Sequence, residues 1–244
     1  MSLAIIYYTN QSGDNTWETL TNWNTASDNT GNNPTEVPWS CTDNSTTEYN
    51  LVDATNGAGI TINSIINPNG SNISGNCLIP NITNNSTINI PYFQLSGTSV
   101  NNGTINGVVV LYNNSYNAGT IADNATLYDV SYNNTNGTIL GAGHFHNGSY
   151  NLGQINGELY SNEWDQSSFF KNIPVFHDTS YNSGTINIDA TFHDNATNAD
   201  VGTIAGHGYF HENSINSGTI NADSWFNDSS VNNGTVNGRV HYTG

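Results

Sequence analysis

From Gly103 onward, apolar residues fall at fixed odd positions of a repeat that opens on Gly-Thr-Ile or a close variant, at Gly103, Gly119, Gly137, Gly153, Gly184, Gly202, Gly218 and Gly234. The steps are 16, 18, 16, 31, 18, 16 and 16 residues. Counting each glycine as position one, position three holds Ile105, Ile121, Ile139, Ile155, Ile186, Ile204, Ile220 and Val236, and position nine holds Leu111, Leu127, Phe145, Phe192, Phe210, Phe226 and Tyr242. The long step divides on the page into a 15-residue unit from Gly153 and a 16-residue unit from Ser168, which adds Phe170 and Phe176 to the two columns and gives nine units. The unit from Gly153 then misses the apolar column at position nine, with Tyr160 one place early. Position thirteen is a serine column, as at Ser115 and Ser131, and position fifteen an asparagine column, as at Asn117 and Asn133.

All these positions are odd, so the characteristic side chains share one face of an extended chain, and a repeat of that kind must coil to bury the face. The pattern predicts an all-β fold, a single-chain β-solenoid of ~16-residue coils. Neighbouring coils stack at about 4.8 Å, so nine make a rod of roughly 45 Å. Small residues at positions five and seven, such as Gly107, Gly141, Ala125 and Gly208, leave room for the Ile and Phe columns in a thin core. Asparagine just before the glycine turn is suited to satisfy bent backbone and to stack as an amide ladder.

Upstream the pattern loosens. Residues 57–102 read as irregular early coils, through Gly70–Asn85 and Ser86–Asn102, with prolines at Pro68, Pro80 and Pro91. Residues 1–56 lack the repeat and hold Trp17, Trp23 and Trp39, which predicts an aromatic-rich N-terminal cap or attachment region over the open sheet edges. Residues 103–244 are the regular solenoid.

Composition narrows the function. Charged residues are 9% of the 244, and 45 asparagines take over the solvating role. Lys171 and Arg239 face 19 acidic residues, so the net charge is −17, a surface that repels phosphate and excludes nucleic acid as a partner. No apolar run approaches the ~20 residues of a transmembrane helix, so no membrane insertion is expected. Met1–Tyr8 is briefly apolar but lacks the basic start and cleavage site of a secretory signal. With two basic residues, trypsin-like proteases find almost nothing to cut, which suits exposure outside cells. Cys41 and Cys77 admit one disulfide without requiring it.

The opening spacing of Gly13, Trp17 and Asn22-Trp23, followed by Pro34 or Pro38 and the alternating Ile60-Thr61-Ile62, resembles the start of tail-fibre-like and appendage proteins of marine bacteriophages and of related bacterial β-helical adhesins. The Asn-Ser-x-Asn-x-Gly-Thr-Ile repeat is similar to stalks found beside that opening. The resemblance implies a non-enzymatic structural or adhesive component at a virion surface or outside cells, with a cell-surface glycan or other virion proteins as partners. It also implies a homotrimer. Outward-facing Tyr112, Tyr116, Tyr128, Tyr132, Tyr150, Tyr181 and Trp225, which call for cover, agree with that.

Two constellations could carry chemistry. At position ten stand His146, His177, His193 and His211, and at position eleven an acidic column of Asp178, Asp194, Glu212 and Asp228, where a Ca²⁺ ion could bridge carboxylates on adjacent coils. No cofactor other than Ca²⁺ is expected, and a plain polar turn explains the same residues. Where the repeat breaks, Tyr160, Glu163, Trp164 and Asp165 combine aromatic faces with acids and form the candidate glycan contact. Glu163 and Asp165 are two apart, about 7 Å on a strand, so the rival is a glycan depolymerase working as an inverting glycoside hydrolase. No catalytic motif of another class is present, and no catalytic residue is assigned. An ice-binding solenoid ranks last, because position two supplies one threonine column beside bulky and charged neighbours.

Overall fold

The computed structural model describes residues 92–157 and 173–243 without a break, together with 82–85, 87–88 and the short stretches 4–8, 23–24, 31–32, 47–50, 60–62 and 78–80. Among them there is no helix. Three long parallel sheets form the walls of a stack of coils: nine strands from Thr87–Ile88 to Thr235–Val236, ten from Leu78–Pro80 to Val240–Thr243, and ten from Ile60–Ile62 to Val231–Asn232. We call them the Ile, Phe and Asn walls after their inward columns. A separate small sheet pairs Ala4–Tyr8 antiparallel with Trp23–Asn24 and parallel with Thr47–Asn50, with Tyr8 in register with Trp23 and Ile6 with Tyr49.

The alternation read from the sequence is the alternation of burial. Ile105, Ile121, Ile139, Ile155, Ile186, Ile204 and Ile220 are fully buried, as are Leu111, Leu127, Phe145, Phe176, Phe192 and Phe210. The phenylalanines stack face to face at one ring per coil, 4.5 Å from Phe145 to Phe176 and 4.8 Å from Phe192 to Phe210. Position seven must stay small for them. A Cβ on Gly208 would stand 2.8 Å from the Phe210 ring and 2.9 Å from Ile220. At position one the constraint is backbone against backbone, since a Cβ on Gly184 would lie 2.2 Å from the Gly153 carbonyl oxygen.

The Asn column is a continuous hydrogen-bonded ladder. Each Nδ2 donates to the Oδ1 of the next coil, from Asn84 to Asn101, Asn117, Asn133, Asn151, Asn182, Asn198, Asn216 and Asn232, at 2.6 to 2.8 Å. The same Nδ2 atoms reach carbonyls in the turn, as Asn151 does to Gly153 at 3.2 Å. A buried polar column is tolerated because its groups are paired. The 18-residue coils place their two extra residues at the corner after this ladder, and the Asn133 to Asn151 bond keeps its 2.8 Å length across one of them.

The 31-residue step is one coil, which corrects its division into two. Ile155 pairs directly with Ile186 on the Ile wall, and Phe145 with Phe176 on the Phe wall, so no strand from Ser168 to Phe170 lies between them. Phe176 is therefore position nine of the coil that starts at Gly153, and Tyr160 and Phe170 belong to neither column. The fifteen extra residues are 158–172, which in sequence separate Gly157, whose φ is 51°, from Ile173. Cys41, Cys77, Trp17 and Trp39 lie outside the described residues.

Candidate functional site

The outer side of the Phe wall carries most of the unusual chemistry. At position ten the rings of Tyr112, Tyr128, His146, His177, His193 and His211 stack in one ladder, with successive centroids 4.8 to 5.3 Å apart. The spacing is that of the coils, so the sequence has placed one flat ring per rung. On the Asn wall Tyr116, Tyr132, Tyr150 and Tyr181 do the same at 4.8 to 4.9 Å. These stacks cover the ring faces along the axis, so the outward tyrosines do not by themselves require a partner chain.

Position eleven is a left-handed corner. Asn113, Asp129, Asn147, Asp178, Asp194, Glu212 and Asp228 all have φ between 55° and 61°, a conformation that Asn and Asp tolerate best among residues with a side chain. Each acid reaches back one coil to accept a backbone N–H: Asp178 from Asn147 at 2.9 Å, Asp194 from Asp178 at 3.1 Å, Glu212 from Asp194 at 2.9 Å and Asp228 from Glu212 at 3.4 Å. Two of them also face the histidine ladder, with His177 Nδ1 3.7 Å from Asp194 and His193 Nδ1 3.4 Å from Glu212. The structure thus gives these carboxylates a turn-closing task that needs no ion. Among the described residues, no group of three or more His, Cys, Asp or Glu is arranged to hold a metal.

Burial, and then the neighbouring imidazoles, push the His146 and His193 side chains below the ordinary histidine value, and Asp178 and Glu212 pull the other way without cancelling this. His144, deeper in the wall, is lowered for the same first reason and by His146 and His177. A histidine whose folded value is depressed takes up its proton more readily when unfolded, so its stability contribution is complete above about pH 6.5 and is lost as pH falls below that. We expect the melting temperature to drop between pH 7 and pH 5, and the drop to shrink in a His146→Gln, His193→Gln double variant. Parallel melting curves for the two proteins across that range would show the ladder inert.

The second cluster was not read from the sequence. At position eight, Val175, Thr191, Tyr209, Trp225 and His241 stand in register on the outer Phe wall. Tyr209 stacks on Trp225 at 5.0 Å and Trp225 on His241 at 5.0 Å, while His207 meets the Trp225 ring edge-on at 5.5 Å. A groove opens beside this stack, lined by Ile173, Val175, Thr191, His193, Tyr209 and His211. Following position eight as a column, from small residues to aromatic ones, is the signal that would have found it. The first candidate glycan residues, Tyr160, Glu163, Trp164 and Asp165, lie outside the described residues, and the groove includes Ile173.

Comparison of the chain with protein-family models, with curated proteins and with solved structures finds no match in any of the three. No helix among the described residues is long and apolar enough to cross a membrane.

Proposed function

We propose that this protein is a non-enzymatic structural and adhesive rod, a virion appendage or fibre component that binds a cell-surface glycan through residues 158–172. The observation that carries the reading is the closure of the walls across that segment: Ile155 meets Ile186 and Phe145 meets Phe176 as if the fifteen residues were not there. A segment that the coil does not need, holding Tyr160, Glu163, Trp164 and Asp165, is where recognition is carried on a rigid scaffold. Sugars have apolar faces for the rings and hydroxyls for the acids. The virion setting rests on the opening motif and the repeat, and the near absence of basic residues favours life outside a cell.

A glycan array with the wild type and Trp164→Ala tests it. Binding by the wild type that falls at least tenfold in the variant is the expected result. No binding by either leaves a structural stalk alone. Release of reducing ends by the wild type, lost in Glu163→Gln, would put the depolymerase first.

A further inference from the structure

We infer that the outer Phe wall carries a second, preformed subsite for one neutral hexopyranose of galactose configuration, seated on the face of Tyr209 opposite Trp225; the inference rests on the reading of the rod as a glycan binder but not on residues 158–172.

The site comes from a step in an otherwise regular ladder. One face of the Tyr209 ring is covered by Trp225, with the two planes 12° apart. The coil before offers Thr191 in register with Tyr209, and the one before that Val175. Neither has a ring, so among the described residues no ring stacks on the second face of Tyr209. The groove lies against that face, with Tyr209 as one wall, Val175 and Thr191 beside it, and His193 and His211 along the flank. Along the axis it spans the two ringless coils, roughly 10 Å at about 4.8 Å per coil, which leaves room for a saturated ring to lay its C–H bonds against the aromatic plane. A sugar there occupies the missing rung.

The flank supplies polar complementarity. His193 Nδ1 is engaged by Glu212 at 3.4 Å, as donor to the carboxylate, which leaves Nε2 as an acceptor. His211 Nδ1 lies 3.2 Å from Asn227 Nδ2; with the amide as donor, the ring proton resides on Nε2. The two imidazole edges therefore present one acceptor and one donor, which suits hydroxyls that both give and take a hydrogen bond.

Charge and shape select the ligand. Asp194 and Glu212 border the flank and the chain carries −17, so a sugar acid is repelled. A pyranose with an axial O4 turns H3, H4 and H5 to one side as a continuous apolar patch, which matches a single exposed tyrosine face. The 4-epimer breaks that patch with an equatorial arrangement.

Saturation-transfer difference NMR with methyl β-D-galactopyranoside tests the subsite on the whole chain. The wild type should transfer saturation most strongly to H3, H4 and H5, with weaker signals from methyl β-D-glucopyranoside and none from methyl β-D-glucuronide. Tyr209→Ala should lower the galactoside affinity at least tenfold. Thr191→Tyr should do the same by filling the step with another stacked ring, and because it extends the existing ladder its melting temperature should match or exceed the wild type. Absence of signal from the wild type, or binding unchanged in Thr191→Tyr, overturns the subsite, and equal signals from both epimers overturn its configuration. Trp164→Ala separates the two readings: galactoside binding retained in that variant supports the step, whereas binding lost there and kept in both wall variants assigns recognition to residues 158–172 alone.

Discussion

Asn182→Asp, a replacement of one amide nitrogen by oxygen, should cost about 3 to 5 kcal/mol at pH 7, the usual penalty for an uncompensated buried charge, and lower the melting temperature by roughly 10 °C. Asn182 is fully buried. Its Oδ1 accepts from Asn151 Nδ2 at 2.8 Å and from the Gly184 N–H at 3.2 Å, and both bonds survive the substitution. Its Nδ2, however, donates to Asn198 Oδ1 at 2.8 Å and to the Gly184 carbonyl at 3.3 Å, and a carboxylate oxygen there faces two acceptors. The acid must protonate to fit, so its folded value rises above the unfolded ~3.9. The deficit relative to wild type is then complete above the folded value and shrinks as pH falls toward the unfolded one. Asn182→Ala loses the same donor without gaining charge, and its deficit should not depend on pH. Thermal melts of the three proteins from pH 7 to pH 4 decide the matter, and equal, pH-independent losses in both variants would show that the ladder bonds, not the charge, set the cost.

Phe210→Asp should divide the rod instead of melting it evenly. Phe210 is fully buried, stacked on Phe192 at 4.8 Å and on Phe226 at 4.9 Å. Removing such a ring costs about 3 to 5 kcal/mol, and the unpaired carboxylate adds several more. In a stack held by nearest-neighbour interfaces that exceeds what one junction supplies, so the coils after Phe210 should separate while those before it hold. Hydrogen exchange should find the amides of Thr219, Ile220 and Phe226 unprotected and those of Thr120, Ile121 and Leu127 unchanged. Protection lost uniformly along the chain would mean that the rod folds as one cooperative unit.

Much of this architecture was legible because period two and the coil length are both written in residue types. Ile105 and Leu111 predict their own burial, and Asn117 its ladder. The reading failed at Gly153–Ser183 for a definite reason: fifteen spliced residues nearly equal one coil, so Ser168 and Phe170 imitate the start of a unit, and only the strand pairing shows that Ile155 goes directly to Ile186. The acidic column was visible as residues, but its left-handed backbone was not, and that backbone gives Asp178 and Asp194 their amide partners on the preceding coil. The Tyr209 step was hidden because it is a departure within an outward column, and outward columns carry no burial signal to mark where they change.

The asparagine ladder also gives the rod a direction. Eight successive amide bonds all run from Nδ2 of one coil to Oδ1 of the next, none reversed. Their dipoles add and polarise one another, as the amides of a helix do, so the two ends of the column differ electrically even though its side chains carry no charge. A further coil continues the column only in the same sense, because a reversed amide would set two donors or two acceptors against each other. The most repetitive residue of the sequence thereby fixes the sense in which one coil follows another.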